Sequence, residues 1–167
     1  MSMDLIPTPS QTIGPFFHLC LTPHVTLGGL KGEQIRLVCR ILDGDGVPVN
    51  DALIEAWQAD ATGEYGYFGR LCTNADGVSI FDTVKPGRVE LQAPHVNVMI
   101  FARGLLKQLY TRIYFDGESS NASDPILALV PENRRGTLMA RPVPGDSNVW
   151  NFDIRLCAEC ETVFFDV

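Results

Sequence analysis

In the stretch ALIEAWQA, residues 52–59, Leu53, Glu55 and Trp57 alternate with Ile54 and Ala56. Successive strand side chains point to opposite faces, so this imperfect alternation predicts a strand with a partly covered outer face. Strand-like runs recur as EQIRLVCRIL, DGDGVPVN, ATGEYGYFG, SIFDTV, HVNVMIFA, QLYTRIYF, NVWNFDIRL and the terminal ETVFFDV. Turn signals separate them. Asp43-Gly44-Asp45-Gly46 and Thr73-Asn74-Ala75-Asp76-Gly77 both supply residues that tolerate positive φ. The spacing predicts an all-β chain, a β-sandwich of mostly antiparallel strands. One short helix is expected around SDPILALV, with Ser123 or Asp124 as its cap and Pro125 at its first position.

The pattern changes near the start. IPTPSQTIGPFFHLCLTPHVTLGGLKG is rich in Pro and Gly, which predicts an extended, irregular arm over residues 1–30 ahead of a single domain over 31–167. Phe16, Phe17 and Leu19 in that arm need an apolar surface, either the chain's own sandwich or a partner subunit.

Composition narrows the partners. The 167 residues suffice for one core, and a net charge of −7 argues against nucleic acid or an anionic membrane. No apolar run approaches the roughly 20 residues of a membrane span, and MSMDLIPTPSQ carries neither the basic region nor the apolar stretch of a signal peptide. A cytoplasmic protein is expected. The five cysteines, Cys20, Cys39, Cys72, Cys157 and Cys160, are odd in number and suit reduced thiols. Cys157 and Cys160 form a C-x-x-C with no second ligand pair at zinc-site spacing, so packing is the favoured role for them.

Candidate chemistry is sparse. The chain has no G-x-S-x-G elbow, no P-loop and no dinucleotide fingerprint, and only three histidines: His18, His24 and His95. His95 and Asn97 stand two apart in a strand-like run, the spacing at which two imidazoles could share a metal, but an amide oxygen is a poor ligand for a transition metal. A lone strand histidine is more often a hydrogen-bonded structural residue. Arg103 closes VMIFARG, where it could capture an anionic substrate or pair with a surface carboxylate. Arg134-Arg135 reads as a solvated loop pair.

TPSQTIGPFFH, EAWQADATGEY, TVKPG followed by APHVNV and FARG, TRIYFD, and ETVFFDV together resemble the intradiol ring-cleavage dioxygenases, and within them the iron-free α subunits. That resemblance spans nearly the whole chain. It implies a prealbumin-like sandwich and an active site shared with an iron-binding β subunit, whose two tyrosines and two histidines would hold non-haem Fe(III). His95 matches the first histidine of that set and Asn97 stands where the second would be. Arg88-Val89-Glu90 replaces a ligand tyrosine, Gln92 replaces a catalytic arginine, and Tyr65 could match the remaining tyrosine. Tyr65, His95 and Asn97 are thus vestigial metal-site positions, with no catalytic residue and no metal expected in this chain. The resemblance further implies that Thr12, Gly14 and Pro15 of the arm approach a bound catechol, with Arg103 near its carboxylate. The substrates would be protocatechuate or a related aromatic acid, and O2. The α subunits of the family are longer, and loops after the arm and between GEY and FGR are missing here. Two other readings compete: a non-catalytic prealbumin-like binding or interaction module, and an autonomous iron dioxygenase built on Tyr65 and His95.

Overall fold

The computed structural model describes residues 21–27 and 29–166. Nine strands form one continuous sheet: β1 (His24–Leu27), β2 (Gln34–Leu42), β3 (Leu53–Ala59), β4 (Tyr65–Cys72), β5 (Val78–Val84), β6 (His95–Phe101), β7 (Leu109–Phe115), β8 (Met139–Val143) and β9 (Asp146–Arg155). Their lateral order is β1-β4-β3-β6-β7-β8-β9-β2-β5. The β2–β9 and β7–β8 pairs are parallel and the others antiparallel, so the chain is all-β and mostly antiparallel.

The sheet curls because its two halves share a core. Ile35, Leu37, Cys39 and Ile41 of β2 and Phe152 and Ile154 of β9 pack in one cluster with Ile54 and Ala56 of β3, Val96, Val98 and Ile100 of β6, and Ile113 and Phe115 of β7. The turning point is β8, which pairs with β7 only through Tyr114–Met139 and Phe115–Ala140 before running antiparallel to β9. Phe115 and Trp150 meet edge to face across the core at 5.0 Å. Gln58 is the polar member of the inner face of β3, and its amide nitrogen donates to Val84 O on β5 at 2.7 Å, tying the two halves together.

Several expectations change. DGDGVPVN is a turn with a single bridge, Leu42–Pro48, because Asp43 Oδ1 accepts from the amides of Asp45 and Val47 and closes it locally. ETVFFDV contributes one bridge, Phe165 to Tyr110, instead of a strand. The expected helix around SDPILALV is two 3-10 turns, Ser119–Ser123 and Leu127–Leu129. Asp124 is not the N-cap residue of the second, which is Ile126, although its carboxylate accepts from the amides of Ile126 and Leu127; Pro131 follows too soon for a helix to propagate. A one-turn helix α1 (Glu132–Arg135) comes next. Arg134 and Arg135 are no solvated pair, since their guanidinium groups donate to Glu161 O at 2.8 Å and Val130 O at 2.9 Å. β8 was hidden by its brevity and by Pro142, which sits beside a register shift. Residues 24–27 of the expected arm form the edge strand β1, and the first twenty residues of that arm lie outside the described residues. Cys39 is a buried thiol whose pKa burial pushes up to about 12, whereas Cys157 and Cys160 are exposed after β9, so packing is not their role.

The turns follow the glycines. Gly46 and Gly77 take the positive φ expected of them, at 78° and 71°. The Gly87 amide donates to Asp60 O at 2.9 Å with Ala61 backbone against it, leaving no room for a Cβ.

Phe115→Ala removes the ring that joins β7 to β9 at the turning point, and should cost about 3–5 kcal/mol. Urea unfolding should show this as a lower midpoint at unchanged slope; a change under 1 kcal/mol would mean the shared core does not close the sheet.

Candidate functional site

The buried run of β6 has two different faces. Val96, Val98 and Ile100 face the core, so His95, Asn97 and Met99 face outward. They are covered nonetheless: His95 is 3% exposed and Asn97 4%. In register, His95 stands beside Tyr114, and Asn97 lies between Trp57 on β3 and Arg112 on β7. The two positions therefore share one face, as their spacing predicts.

Each is already engaged. His95 Nδ1 donates to Ala93 O at 2.8 Å, which leaves Nε2 buried without a hydrogen-bond partner among the described residues. Asn97 Oδ1 accepts from the Tyr110 hydroxyl at 2.6 Å. Arg112 Nη1 donates to Gln92 Oε1 at 2.6 Å while its Nε is buried without a partner. Burial works against the Arg112 charge, but the Tyr114 and Tyr110 hydroxyls more than offset it and hold its pKa above the ordinary value. Burial depresses the His95 pKa; the Ala93 carbonyl opposes that, and the Arg112 charge adds to it. His95 is thus a neutral imidazole beside a fixed cation.

Asp124, with no exposure, closes this layer. Its carboxylate accepts from the amides of Ala93 at 2.7 Å, Ile126 at 2.8 Å and Leu127 at 2.7 Å, and from the Tyr114 hydroxyl at 3.2 Å. Reasoning from sequence saw Asp124 only as a cap. Arg112 and Tyr110 were missed, although their positions on β7 opposite Asn97 follow from pairing two adjacent strands.

The other expected residues lie apart. Tyr65 opens β4 opposite Ala59 of β3, which separates it from the strand bearing His95, and it is 57% exposed. Two strand spacings separate it from His95, about 10 Å. Arg88, Val89 and Glu90 enter a tight turn in which Gln92 N donates to Val89 O and Glu90 takes a φ of 53°. Arg103 is beyond the far end of β6, about 26 Å along the chain from His95. Its exposed guanidinium pairs with Asp51. Thr12, Gly14 and Pro15 lie outside the described residues.

One free imidazole nitrogen beside a guanidinium is not a metal-ligand set, because Asn97 is committed to Tyr110 and Tyr65 is remote. The residues present do not fit an iron ion. Among the described residues no group of three or more His, Cys, Asp or Glu side chains is placed to hold a metal. Nor is any helix among them long and apolar enough to cross a membrane.

A family model described as dioxygenase matches residues 21–158. The chain belongs to the intradiol ring-cleavage dioxygenase family. It is 41% identical to the protocatechuate 3,4-dioxygenase alpha chain of Burkholderia cepacia over 191 aligned positions, covering 96% of this chain and 97% of that one. Since this chain has 167 residues, the relative carries segments that it lacks. The beta chain of the same organism's enzyme is 31% identical, over 79% of this chain and 66% of its own length. Among solved structures, the dioxygenase domain of a dioxygenase carbohydrate-binding protein fusion from Streptomyces sp. SirexAA-E superposes with a TM-score of 0.66 at 25% identity, covering 95% of this chain and all of that one.

A histidine whose pKa falls on folding weakens the folded state in acid. Above the ordinary value of 6.5 both states are neutral; below it the unfolded chain takes up a proton that buried His95 resists, so stability declines as pH falls. His95→Gln should flatten this decline between pH 7.5 and 5.5 in urea unfolding, and an unchanged slope would show that His95 titrates freely.

Proposed function

We propose that this chain is the α subunit of a protocatechuate 3,4-dioxygenase, lining a substrate pocket shared with an iron-binding β subunit. The observation that carries this reading is likeness over almost the full length to an alpha chain, at 41%, against 31% over part of a beta chain. Iron belongs to the partner on this reading, because the side chains around His95 are engaged with one another. The reaction adds both atoms of O2 to the catechol and opens the ring between its hydroxyls, giving 3-carboxy-cis,cis-muconate.

The contribution of this chain is orientation, which raises rate by holding reactants in place without taking part in bond making. Thr12, Gly14 and Pro15 form the wall from an arm comprising residues 1–30, which joins a prealbumin-like sandwich over 31–167 through the edge strand β1. Arg103 takes the substrate carboxylate. Its pairing with Asp51 supports that role, since its side chain is 62% exposed and such a pair contributes only about 0–1 kcal/mol. An incoming carboxylate can displace Asp51 at little cost, and a bidentate contact would return about 1.5–3 kcal/mol. The assembly is placed in the cytoplasm.

Coexpression with an iron-binding β-type chain should give iron and protocatechuate-dependent oxygen uptake only in the complex. Arg103→Ala should raise KM about 10- to 100-fold with a smaller effect on kcat. Stoichiometric iron and turnover in the lone chain would overturn the proposal.

A further inference from the structure

The outer face of the other half-sheet, formed by β8, β9 and β2, carries a groove of about 680 Å³ that takes no part in the site around His95 or in the placement of Arg103. Gly136, Thr137, Cys160 and Thr162 contribute to its lining. The two threonines are fixed by their own hydrogen bonds. The Thr137 hydroxyl donates to Arg134 O at 2.8 Å and accepts from Val163 N at 3.2 Å, and the Thr162 hydroxyl accepts from Arg155 N at 2.9 Å.

Three arginines enter the groove: Arg40, Arg141 and Arg155. Arg40 is neutralised by Asp153, with contacts of 3.0 and 2.8 Å. The guanidinium groups of exposed Arg141 and half-buried Arg155 have no hydrogen bond or ion pair among the described residues, so the groove keeps two uncompensated positive charges on a chain whose net charge is −7. Arg141 stands beside Asn151 in the β8–β9 register, and Arg155 is four residues farther along β9, roughly 13 Å. A compact anion would reach one of them. An extended molecule with a carboxylate at each end would engage both, with its carbon chain in a groove whose lining includes Val38 and Met139.

We propose that this groove binds an organic polycarboxylate, the chemical class of the ring-opened product. The class of ligand rests on the dioxygenase reading; the two free guanidinium groups and the walled groove do not. Neither Arg103 nor its partner Asp51 is among the residues that line the groove, so an occupant would not compete for that guanidinium.

The test is calorimetric titration of the full chain, alone and in complex with its partner, with cis,cis-muconate, adipate and inorganic phosphate, alongside oxygen uptake by the complex. Both dicarboxylates should bind more tightly than phosphate. Arg141→Ala and Arg155→Gln should each weaken muconate binding about tenfold while leaving initial oxygen uptake unchanged. Arg141 is exposed and outside the core, so its replacement tests the site without endangering the fold. Muconate binding that survives Arg141→Ala, or phosphate binding as tight as muconate, would overturn the proposal. Loss of the complex in either variant would also overturn it and assign the face to subunit contact. Dicarboxylate binding that depends on Arg141 in a complex without oxygen uptake would uphold the anion site and sink the dioxygenase reading alone.

Discussion

β6 is covered on both faces, and the polar half of its side chains must therefore be satisfied from within. A buried polar group without a partner costs as much as a lost hydrogen bond or more, so the outward row His95, Asn97 could exist only with partners delivered to it. Ala93 supplies a carbonyl, β7 supplies Tyr110, Arg112 and Tyr114, and the segment after β7 returns Asp124 to receive three amides and a hydroxyl. That return explains why the chain between β7 and β8 breaks into short 3-10 turns and does not form a helix. Its geometry is dictated at Asp124, and the covering layer of Leu127, Val130 and Leu138 packs behind it.

The two ends of β6 consequently differ in what they can offer. At the His95 end the side chains are consumed by one another. At the Arg103 end the strand runs out, the backbone turns at Gly104 with a φ of 87°, and an exposed guanidinium pairs with Asp51. A chain arranged this way is suited to holding a substrate group at its edge and unsuited to doing metal chemistry in its interior.

The strands from β2 to β7 were legible because each is long enough to show its own alternation, and the two Gly turns because positive φ is a local demand. β8 and β1 were not, since each is short and stabilised by pairing, a tertiary effect that no window of sequence contains. The same distinction governs the site. The shared face of His95 and Asn97 could be read from spacing, whereas the groups around them could not: Tyr110 lies 13 positions beyond Asn97, and Asp124 lies 31 beyond the Ala93 amide it accepts from, and both arrive only through the register of β7 and the fold of the segment beyond it. The exposure of Cys157 and Cys160 was misjudged because apolar neighbours on β9 suggested a buried run, while the chain leaves the sheet at Arg155.

Asn97 is not a ligand removed from an otherwise intact set. A histidine at 97 would take from the Tyr110 hydroxyl the acceptor it now has at 2.6 Å, and would set a second imidazole beside the Arg112 guanidinium, whose charge already works against protonation of His95 and would equally oppose a bound cation. Arg112 in turn donates to half-buried Gln92, and could not withdraw without leaving the Gln92 oxygen without that donor. Converting this face to a metal site would therefore require coordinated change at 92, 97 and 112 at least, with a further ligand brought in across the roughly 10 Å to Tyr65. The poor fit of these side chains to a metal is a property of the whole hydrogen-bonded layer rather than of one substituted residue.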